Sequence, residues 1–166
     1  TVGIALSGGK DSVLLTKLMC EIVSPVKTAG IVALTVDEGI EGYRPSSLEI
    51  ASSLCRELGI RHSVLSFRET CGNYLDDLVG RTDLGACGVC GILRRRALNT
   101  LASRNNCDHI VTGHNLDDYA QTVLMNVLSA DLDRMARLGP HDKAIPGFVP
   151  RLMPLRTTPE NETFLA

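Results

Sequence analysis

The segment Ser7-Gly8-Gly9-Lys10-Asp11-Ser12 decides the fold of this chain of 166 residues. It follows a continuous apolar run at residues 2–6, which is typical of a strand buried on both faces. It overlaps the start of a helical stripe of apolar side chains at residues 11–22. A buried strand, a glycine turn and a helix in succession predict the first unit of an α/β fold with a parallel sheet.

The alternation of strands and helices continues along the chain. Further strands are predicted at 31–36, 62–67 and 109–112, and further helices at 46–58, 88–103 and 115–128. We also expect a short helix within 68–84, carrying Leu75, Leu78 and Val79, and a loop at 139–160 that contains a short strand at 152–155. The prediction is a doubly wound parallel sheet with helices on both faces, in a single domain over residues 1–166.

Composition narrows the function classes. The formal net charge of −2 gives no global basic signal for nucleic acid or membrane binding. No apolar run approaches the roughly 18 residues that a membrane helix needs, so we expect no membrane attachment. Cys20 and Cys55 occupy apolar positions of helical stripes, which indicates reduced thiols and a cytoplasmic location. The chain starts within a strand and stops without a terminator, so we expect segments to be missing at both ends.

The glycine hexapeptide predicts an anion site. Gly8 and Gly9 let the backbone approach a ligand without a Cβ in the way. The N–H groups at the start of the following helix attract anions, helped by the helix dipole. Lys10 adds positive charge, and Ser7 and Ser12 add hydroxyl donors. An ordinary glycine turn with a Ser or Asp cap is the alternative, and the strand–helix context favours the phosphate site.

A second motif, Cys87-Gly88-Val89-Cys90, opens the helix that carries Arg94, Arg95 and Arg96. A spacing of three puts both sulfurs on one side of a helical turn, where the helix N-terminus and the arginines favour thiolates. A redox dithiol, a zinc site, an iron–sulfur cluster and two unligated cysteines all remain open, since metal sites need further ligands. Arg94 lies four residues after Cys90 on the same face, so it is the candidate phosphate contact.

A third motif, Gly113-His114-Asn115-Leu116-Asp117-Asp118, follows the fourth predicted strand. Gly113 permits close approach of the backbone to a ligand. Asn115 can cap the next helix, and capping alone would satisfy Asn115 and one aspartate. In the functional interpretation one aspartate binds Mg²⁺ or acts as a base near an α-phosphate. Because the phosphate loop is expected at the same sheet edge, we favour the functional interpretation, with Asp117 as a candidate magnesium ligand.

Together these motifs resemble the N-type ATP pyrophosphatases, the PP-loop superfamily. Within it the chain looks most like the tRNA 2-thiouridine synthetases of the TtuA type, the tRNA-5-methyluridine 2-sulfurtransferases. The wobble-uridine thiolases come next, and the cytidine-thiolating TtcA enzymes are further off. The resemblance covers nearly the whole chain and also rests on Val36-Asp37-Glu38-Gly39-Ile40. It implies a fold of the HUP, adenine nucleotide alpha hydrolase-like type. It further implies ATP-dependent tRNA 2-thiolation, in which the O2 of a uridine is adenylated and sulfur then displaces AMP.

The resemblance also implies roles for individual residues. The residues implied to bind ATP are Ala5, Ser7, Gly8, Gly9, Lys10, Asp11, Ser12, Val36, Asp37 and Gly113. Lys10, Arg94 and Asp118 are implied to be catalytic, with Arg94 standing where the family often has lysine. Cys87 and Cys90 match two of the three cysteines that hold a [4Fe–4S] cluster in the TtuA branch. The chain has no cysteine after Cys107 to match the third.

The implied cofactors are therefore ATP, Mg²⁺ and a [4Fe–4S] cluster. The implied partners are tRNA and a ubiquitin-like sulfur-carrier protein with a C-terminal thiocarboxylate, and we expect a homodimer. Two alternatives stay open. The first is another PP-loop adenylating enzyme, such as a TtcA-like cytidine thiolase, an amide-forming synthetase or a sulfate-nucleotide reductase. The second is a non-catalytic ATP-binding redox module, against which the pair Asp117 and Asp118 argues.

Overall fold

The computed structural model describes residues 1–40, 44–73, 86–136 and 145–166. The strands are β1 (Val2–Ala5), β2 (Ile31–Asp37), β3 (Arg61–Ser66), β4 (His109–Val111) and β5 (Arg151–Leu152). The helices are α1 (Lys10–Val23), α2 (Arg44–Glu57), α3 (Phe67–Cys71), α4 (Ala86–Arg104), α5 (Leu116–Leu128), α6 (Leu132–Ala136) and α7 (Glu160–Leu165). Within these ranges, no helix has both the length and the apolar character that crossing a bilayer requires.

The strands form one parallel sheet in the order β3-β2-β1-β4-β5. Ile4 of β1 lies between Ala33 of β2 and Val111 of β4. The strand order therefore reverses between β1 and β4, and open α/β sheets bind ligands beyond the carboxyl ends of the strands at such a point. The glycine hexapeptide leaves β1 here and the Gly113–Asp118 turn leaves β4, as the sequence predicts.

The sheet buries both of its faces. Leu34 of β2 packs with Leu98 of α4 on one face, whereas its neighbour Ala33 packs with Leu54 of α2 on the other. Ile4 packs in a third cluster with Leu15 of α1. Successive strand residues point to opposite faces, so continuous apolar runs are needed where helices cover both sides. The predicted doubly wound architecture is confirmed.

One predicted boundary was wrong for a local reason. Phe67 was assigned to the end of the third strand, but it is the first residue of α3. Ser66 and Glu69 form a capping box: Ser66 Oγ accepts from Glu69 N at 3.1 Å, and Ser66 N donates to Glu69 Oε2 at 2.9 Å. These bonds satisfy donors of the first turn and stop the strand. Phe67 is fully buried all the same, which explains its apolar signal.

The structure also differs from the predicted elements in the second half of the chain. Helices α6 and α7 were not predicted, because five or six residues are too few for a helical stripe to stand out. The strand expected at 152–155 lies at Arg151–Leu152 instead. Leu75, Leu78 and Val79 of the expected short helix lie outside the described residues, as does the part of the 139–160 loop before residue 145.

Candidate active site

The hexapeptide loop packs tightly against the start of α2. Gly8 has φ +88°, and a Cβ added there would lie 2.3 Å from the carbonyl oxygen of Ser47. Ser12 Oγ donates to the Gly9 carbonyl at 2.8 Å and accepts from Ser7 N at 3.2 Å. The Ser7 and Ser12 hydroxyls are 3.1 Å apart. Glycine is therefore required by the packing at position 8, and the Ser12 hydroxyl, expected as a ligand donor, holds the shape of the loop.

Lys10, the first residue of α1, has two carboxylate partners. Its Nζ donates to Glu160 Oε1 at 2.8 Å and to Asp11 Oδ2 at 3.0 Å. These hydrogen bonds, first that of Glu160 and then that of Asp11, raise the pKa of Lys10 above its ordinary value of 10.5. The ammonium is therefore charged at neutral pH, as a phosphate contact requires. Glu160 was missed by sequence reasoning, because α7 carries no motif.

Asp11 is held from a second direction by α7. The hydroxyl of Thr163, a residue only 4% exposed, donates to Asp11 Oδ1 at 2.6 Å. Burial by itself raises the pKa of Asp11, but hydrogen bonds from Thr163 and Lys10 outweigh it and place the pKa below its ordinary value of 3.8. The Asp11 carboxylate is thus ionised and oriented by its neighbours.

The turn after β4 contacts the start of α1. A Cβ added to Gly113 would lie 3.0 Å from the Asp11 carbonyl oxygen and 3.1 Å from Ser12 N. Such distances leave no room for a side chain unless the backbone shifts, so Gly113 serves close approach between two turns. The first and third motifs, which are about a hundred residues apart in sequence, therefore lie close together.

The carboxylates of the third motif have structural partners. Asn115 and Asp118 form a capping box: Asn115 Oδ1 accepts from Asp118 N at 2.9 Å, and Asp118 Oδ2 accepts from Asn115 N at 3.1 Å. Asp117 Oδ2 accepts from Glu160 N at 2.6 Å and so caps α7. Each contact uses one carboxylate oxygen. Within the part of the chain that the structure describes, no group of three or more His, Cys, Asp or Glu side chains could hold a metal ion.

A pocket of about 230 Å³ opens at the carboxyl ends of β1 and β2. It brings together four residues expected at the site and one that was not, namely Ala5, Ser7, Val36 and Arg94 with Glu38. Asp37 does not line this pocket, and its Oδ1 accepts from Gly39 N at 3.0 Å. The pocket adjoins the hexapeptide loop. If the loop binds the phosphates of a ligand, the pocket can hold the group to which those phosphates are attached.

Arg94 connects this pocket to the paired cysteines. Its Nε donates to Glu38 Oε1 at 2.8 Å, and its Nη2 lies 3.4 Å from Cys90 Sγ. The contact between Arg94 and Cys90 confirms the shared helix face that the four-residue spacing predicts. Glu38 was missed as a functional residue, although an acid directly after a buried strand at the ligand-binding edge is a signal that could have found it.

Five of the six cysteines fall into two groups. Cys90 is buried beside Arg94, and Cys87 lies in the first turn of α4, with its side chain outside the described residues. Burial raises the pKa of Cys55 to about 11, with a smaller contribution from Cys20. Burial also raises the pKa of Cys20 and of Cys107, so these thiols are protonated and poorly suited to metal or sulfur chemistry. None of the five cysteines with described side chains forms a disulfide.

A glycine loop with a lysine at the switch point of a parallel sheet defines a phosphate-binding α/β domain. The chain belongs to the PP-loop domain family, whose family model matches residues 1–139. The predicted superfamily and fold are confirmed.

Three of the similar proteins are all named for the thiolation of tRNA. The tRNA 2-thiolation protein NcsA of Haloferax volcanii is 40% identical over 171 residues, covering 98% of this chain and 53% of the relative. Cytoplasmic tRNA 2-thiolation protein 1 of Oryza sativa is 39% identical over 163 residues, covering 97% of this chain and 45% of the relative. The structure of the U34-tRNA thiolase NcsA from Methanococcus maripaludis, with its [4Fe-4S] cluster, matches with a TM-score of 0.89 and 37% identity, covering 99% of this chain and 54% of that chain. The chain therefore spans about half the length of these relatives.

Proposed function

We propose that this protein is an ATP-dependent tRNA sulfurtransferase of the cytoplasm, and that it replaces the O2 of a tRNA uridine, the wobble uridine U34, by sulfur. The names of the relatives support the reaction, the compartment and the position of the uridine. The observation that carries the proposal is the position of Arg94. It lines the pocket behind the phosphate loop, and its Nη2 is 3.4 Å from Cys90 Sγ. Adenylation and sulfur transfer need these two sites to adjoin, whereas nucleotide binding alone does not.

In the proposed reaction the chain binds ATP by its charge and its backbone. The Lys10 ammonium and the N–H groups at the start of α1 bind the terminal phosphates, and the adenosine lies in the pocket beside Ala5 and Val36. The uridine O2 attacks the α-phosphorus, an O–P bond forms and pyrophosphate leaves. Arg94 neutralises the charge that develops on the phosphate. Asp118 is the proposed base and Asp117 the proposed Mg²⁺ ligand, through the carboxylate oxygens that capping leaves over.

The donor set at α4 is suited to an iron–sulfur cluster. Cys90 is a buried thiol that receives an N–H from Arg94, and Cys87 lies one turn earlier on the same helix. Soft thiolate ligands and hydrogen bonds to sulfur are features of such clusters. Cys87 and Cys90 would hold the cluster together with a ligand from elsewhere. A bound [4Fe–4S] cluster would hold sulfide that the sulfur carrier delivers, so that this sulfur can bond to C2 of the uridine while AMP leaves with the original O2.

The proposed macromolecular partners are tRNA and a ubiquitin-like sulfur carrier. Arg95, Arg96 and Arg151 line a second, mostly apolar cavity of about 650 Å³ beside the exposed ring of Phe148. Arginines interleaved with an aromatic side chain are suited to phosphates and unpaired bases, so we propose that this face contacts tRNA. The carrier is proposed because the reaction needs a sulfur donor.

We also propose a homodimer, formed through one face of α5 and α6. Five apolar side chains there are each more than half exposed, namely Leu124, Met125, Val127, Leu128 and Leu132. Contiguous exposed apolar surface marks interaction sites. Analytical ultracentrifugation tests this assignment: Leu128→Lys should turn dimers into monomers, and unchanged sedimentation would refute the interface.

The function is tested with anaerobically purified protein, iron, sulfide, ATP and tRNA that lacks 2-thiouridine. We expect 2-thiouridine by nucleoside mass spectrometry, with one AMP for each sulfur inserted. Cys90→Ser should abolish it, and the matched Cys20→Ser should not, because Cys20 lies on α1 away from the pocket. AMP production without 2-thiouridine would indicate another adenylating enzyme, ATP binding without AMP a non-catalytic module, and stoichiometric zinc a different sulfur chemistry.

A further inference from the structure

Glu38 is a buried acid that the proposed chemistry leaves without a role. It directly follows β2, is 3% exposed and lines the pocket of about 230 Å³. Its Oε1 accepts from Arg94 Nε at 2.8 Å, across the gap between the end of β2 and α4. A carboxylate so far from water is unfavourable unless a cation or several donors compensate it. The ion pair with Arg94 is one interaction that compensates this buried charge.

The same pair restricts Arg94. The side chain of Arg94 is 51% exposed and would otherwise be free to sample many rotamers. Two of its nitrogens are held: Nε by Glu38, and Nη2 by the contact with Cys90 Sγ at 3.4 Å. Because the guanidinium is planar and rigid, two held nitrogens set the direction of its other N–H groups. A lysine ammonium at this position has a single nitrogen and no rigid plane, so contacts to it would not fix the direction of its remaining N–H groups in the same way.

We propose that Glu38 is a positioning residue for the reaction: its carboxylate holds the Arg94 guanidinium between the nucleotide pocket and Cys90. The inference rests on the proposed function, in which Arg94 neutralises charge at the α-phosphate. Glu38 itself does not contact the reacting atoms. It acts by keeping Arg94 oriented before ATP binds, which avoids reorganisation during the reaction.

The kinetic test uses Glu38→Gln, which keeps the shape of the side chain and removes its charge. We expect the kcat of tRNA-dependent AMP formation to fall about tenfold or more, since small misplacements of a catalytic group have large effects on rate. The Kd of a non-hydrolysable ATP analogue should change less than about threefold, because Glu38→Gln keeps the shape of the pocket and the terminal phosphates bind elsewhere. Glu49→Gln, an exposed acid on α2, is the matched control and should leave both constants unchanged.

A double-mutant cycle with Arg94→Lys separates the positioning of Arg94 from a general disturbance of the structure. If Glu38 acts through the two-point hold on Arg94, Glu38→Gln should lower kcat less than twofold in the Arg94→Lys background. A further tenfold loss in that background would overturn the proposal. An unchanged kcat in Glu38→Gln alone would do the same.

An NMR measurement tests the positioning role of Glu38 without measuring enzyme activity. In the protein labelled with ¹⁵N-arginine, the Nε–H of Arg94 should give a resolved, slowly exchanging signal, assigned by its loss in Arg94→Lys. Glu38→Gln should lower the protection of this N–H against solvent exchange tenfold or more, whereas Glu49→Gln should leave that protection unchanged. Persistence of the protected signal in Glu38→Gln would overturn the positioning role. If the wild type makes no 2-thiouridine but the signal behaves as expected, the proposed function fails and the positioning of Arg94 by Glu38 stands.

Discussion

The hydroxyl of Thr163 donates a hydrogen bond of 2.6 Å to Oδ1 of Asp11, a residue 152 positions earlier in the sequence. The bond joins α7 to the first turn of α1, where the hexapeptide loop ends. Glu160, on the same short helix, contacts Lys10. Two consecutive charged residues of the loop are therefore oriented by the last helix of the chain, and the charge that a phosphate would meet depends on both ends of the sequence.

Removing the Thr163 hydroxyl should weaken the whole domain. Thr163→Val keeps the shape of the side chain but leaves the partly buried Asp11 carboxylate with one donor fewer. We expect a loss of about 1–2 kcal/mol in the free energy of unfolding, measured with urea, because an unmade hydrogen bond to a charged group is costly. Thr100→Val is the control: its hydroxyl donates to the Arg96 carbonyl, a neutral group of its own helix, so its effect should be much smaller. Equal losses would refute the special role of Thr163.

Gly8→Ala should be far more damaging than a glycine substitution with the same backbone angle elsewhere. At Gly8 the new Cβ would meet the Ser47 carbonyl oxygen at 2.3 Å, in addition to the strain of φ +88°. We expect a loss of about 2–4 kcal/mol in unfolding free energy, with loss of ATP-analogue binding in calorimetry.

Gly72→Ala supplies the comparison for Gly8→Ala. Gly72 has φ +81° but nothing within 4 Å of its added Cβ. Only the cost of the left-handed backbone remains, about 1 kcal/mol, and analogue binding should be normal. If the two variants behaved alike, the packing of the loop against α2 would not matter.

Gly113→Ala tests the contact between the two ligand-facing turns. The added Cβ would lie 3.0 Å from the Asp11 carbonyl oxygen and would force the β4 turn away from α1. We expect a loss of about 1–3 kcal/mol in unfolding free energy and weaker binding of the ATP analogue. Gly91→Ala should instead raise stability by about 0.5–1 kcal/mol, because Gly91 lies inside α4 with open space around its Cβ. Stabilisation by both substitutions would contradict the close approach at Gly113.

The free energy of unfolding should depend on pH in the acid range partly through the ionisation of the Asp11 carboxylate. Its folded-state pKa is below its ordinary value of 3.8, so the stability it contributes is present above that value and is lost as the pH falls through the folded pKa. The difference in unfolding free energy between the wild type and Asp11→Asn should be constant above about pH 5 and shrink below about pH 4. The titration of Lys10 itself adds no pH dependence in this window, since its pKa is raised above 10.5. A difference that stayed constant down to about pH 2.5 would show that the Asp11 carboxylate gains nothing on folding.

Local chemistry made much of the fold predictable. The order of strands and helices follows from apolar runs and stripes, and the Asn115 cap and the Cys90–Arg94 contact follow from helix geometry over three or four residues. Where a prediction failed locally, as at Phe67, an unrecognised capping box had ended the strand. The short helices α6 and α7 have too few residues for a periodic signal.

The sequence by itself determined that a glycine loop with Lys10 follows a buried strand and opens a helix, because turns and helix starts depend on neighbouring residues. Only the tertiary structure decided which side chains surround that loop. The pairs Glu38–Arg94 and Asp11–Thr163 join residues 56 and 152 positions apart. Such pairs depend on which elements the sheet order brings together, and no local propensity records that order. The hexapeptide therefore predicts a phosphate site, while the packing of α7 decides how Lys10 and Asp11 are held and the packing of α4 decides where Arg94 lies.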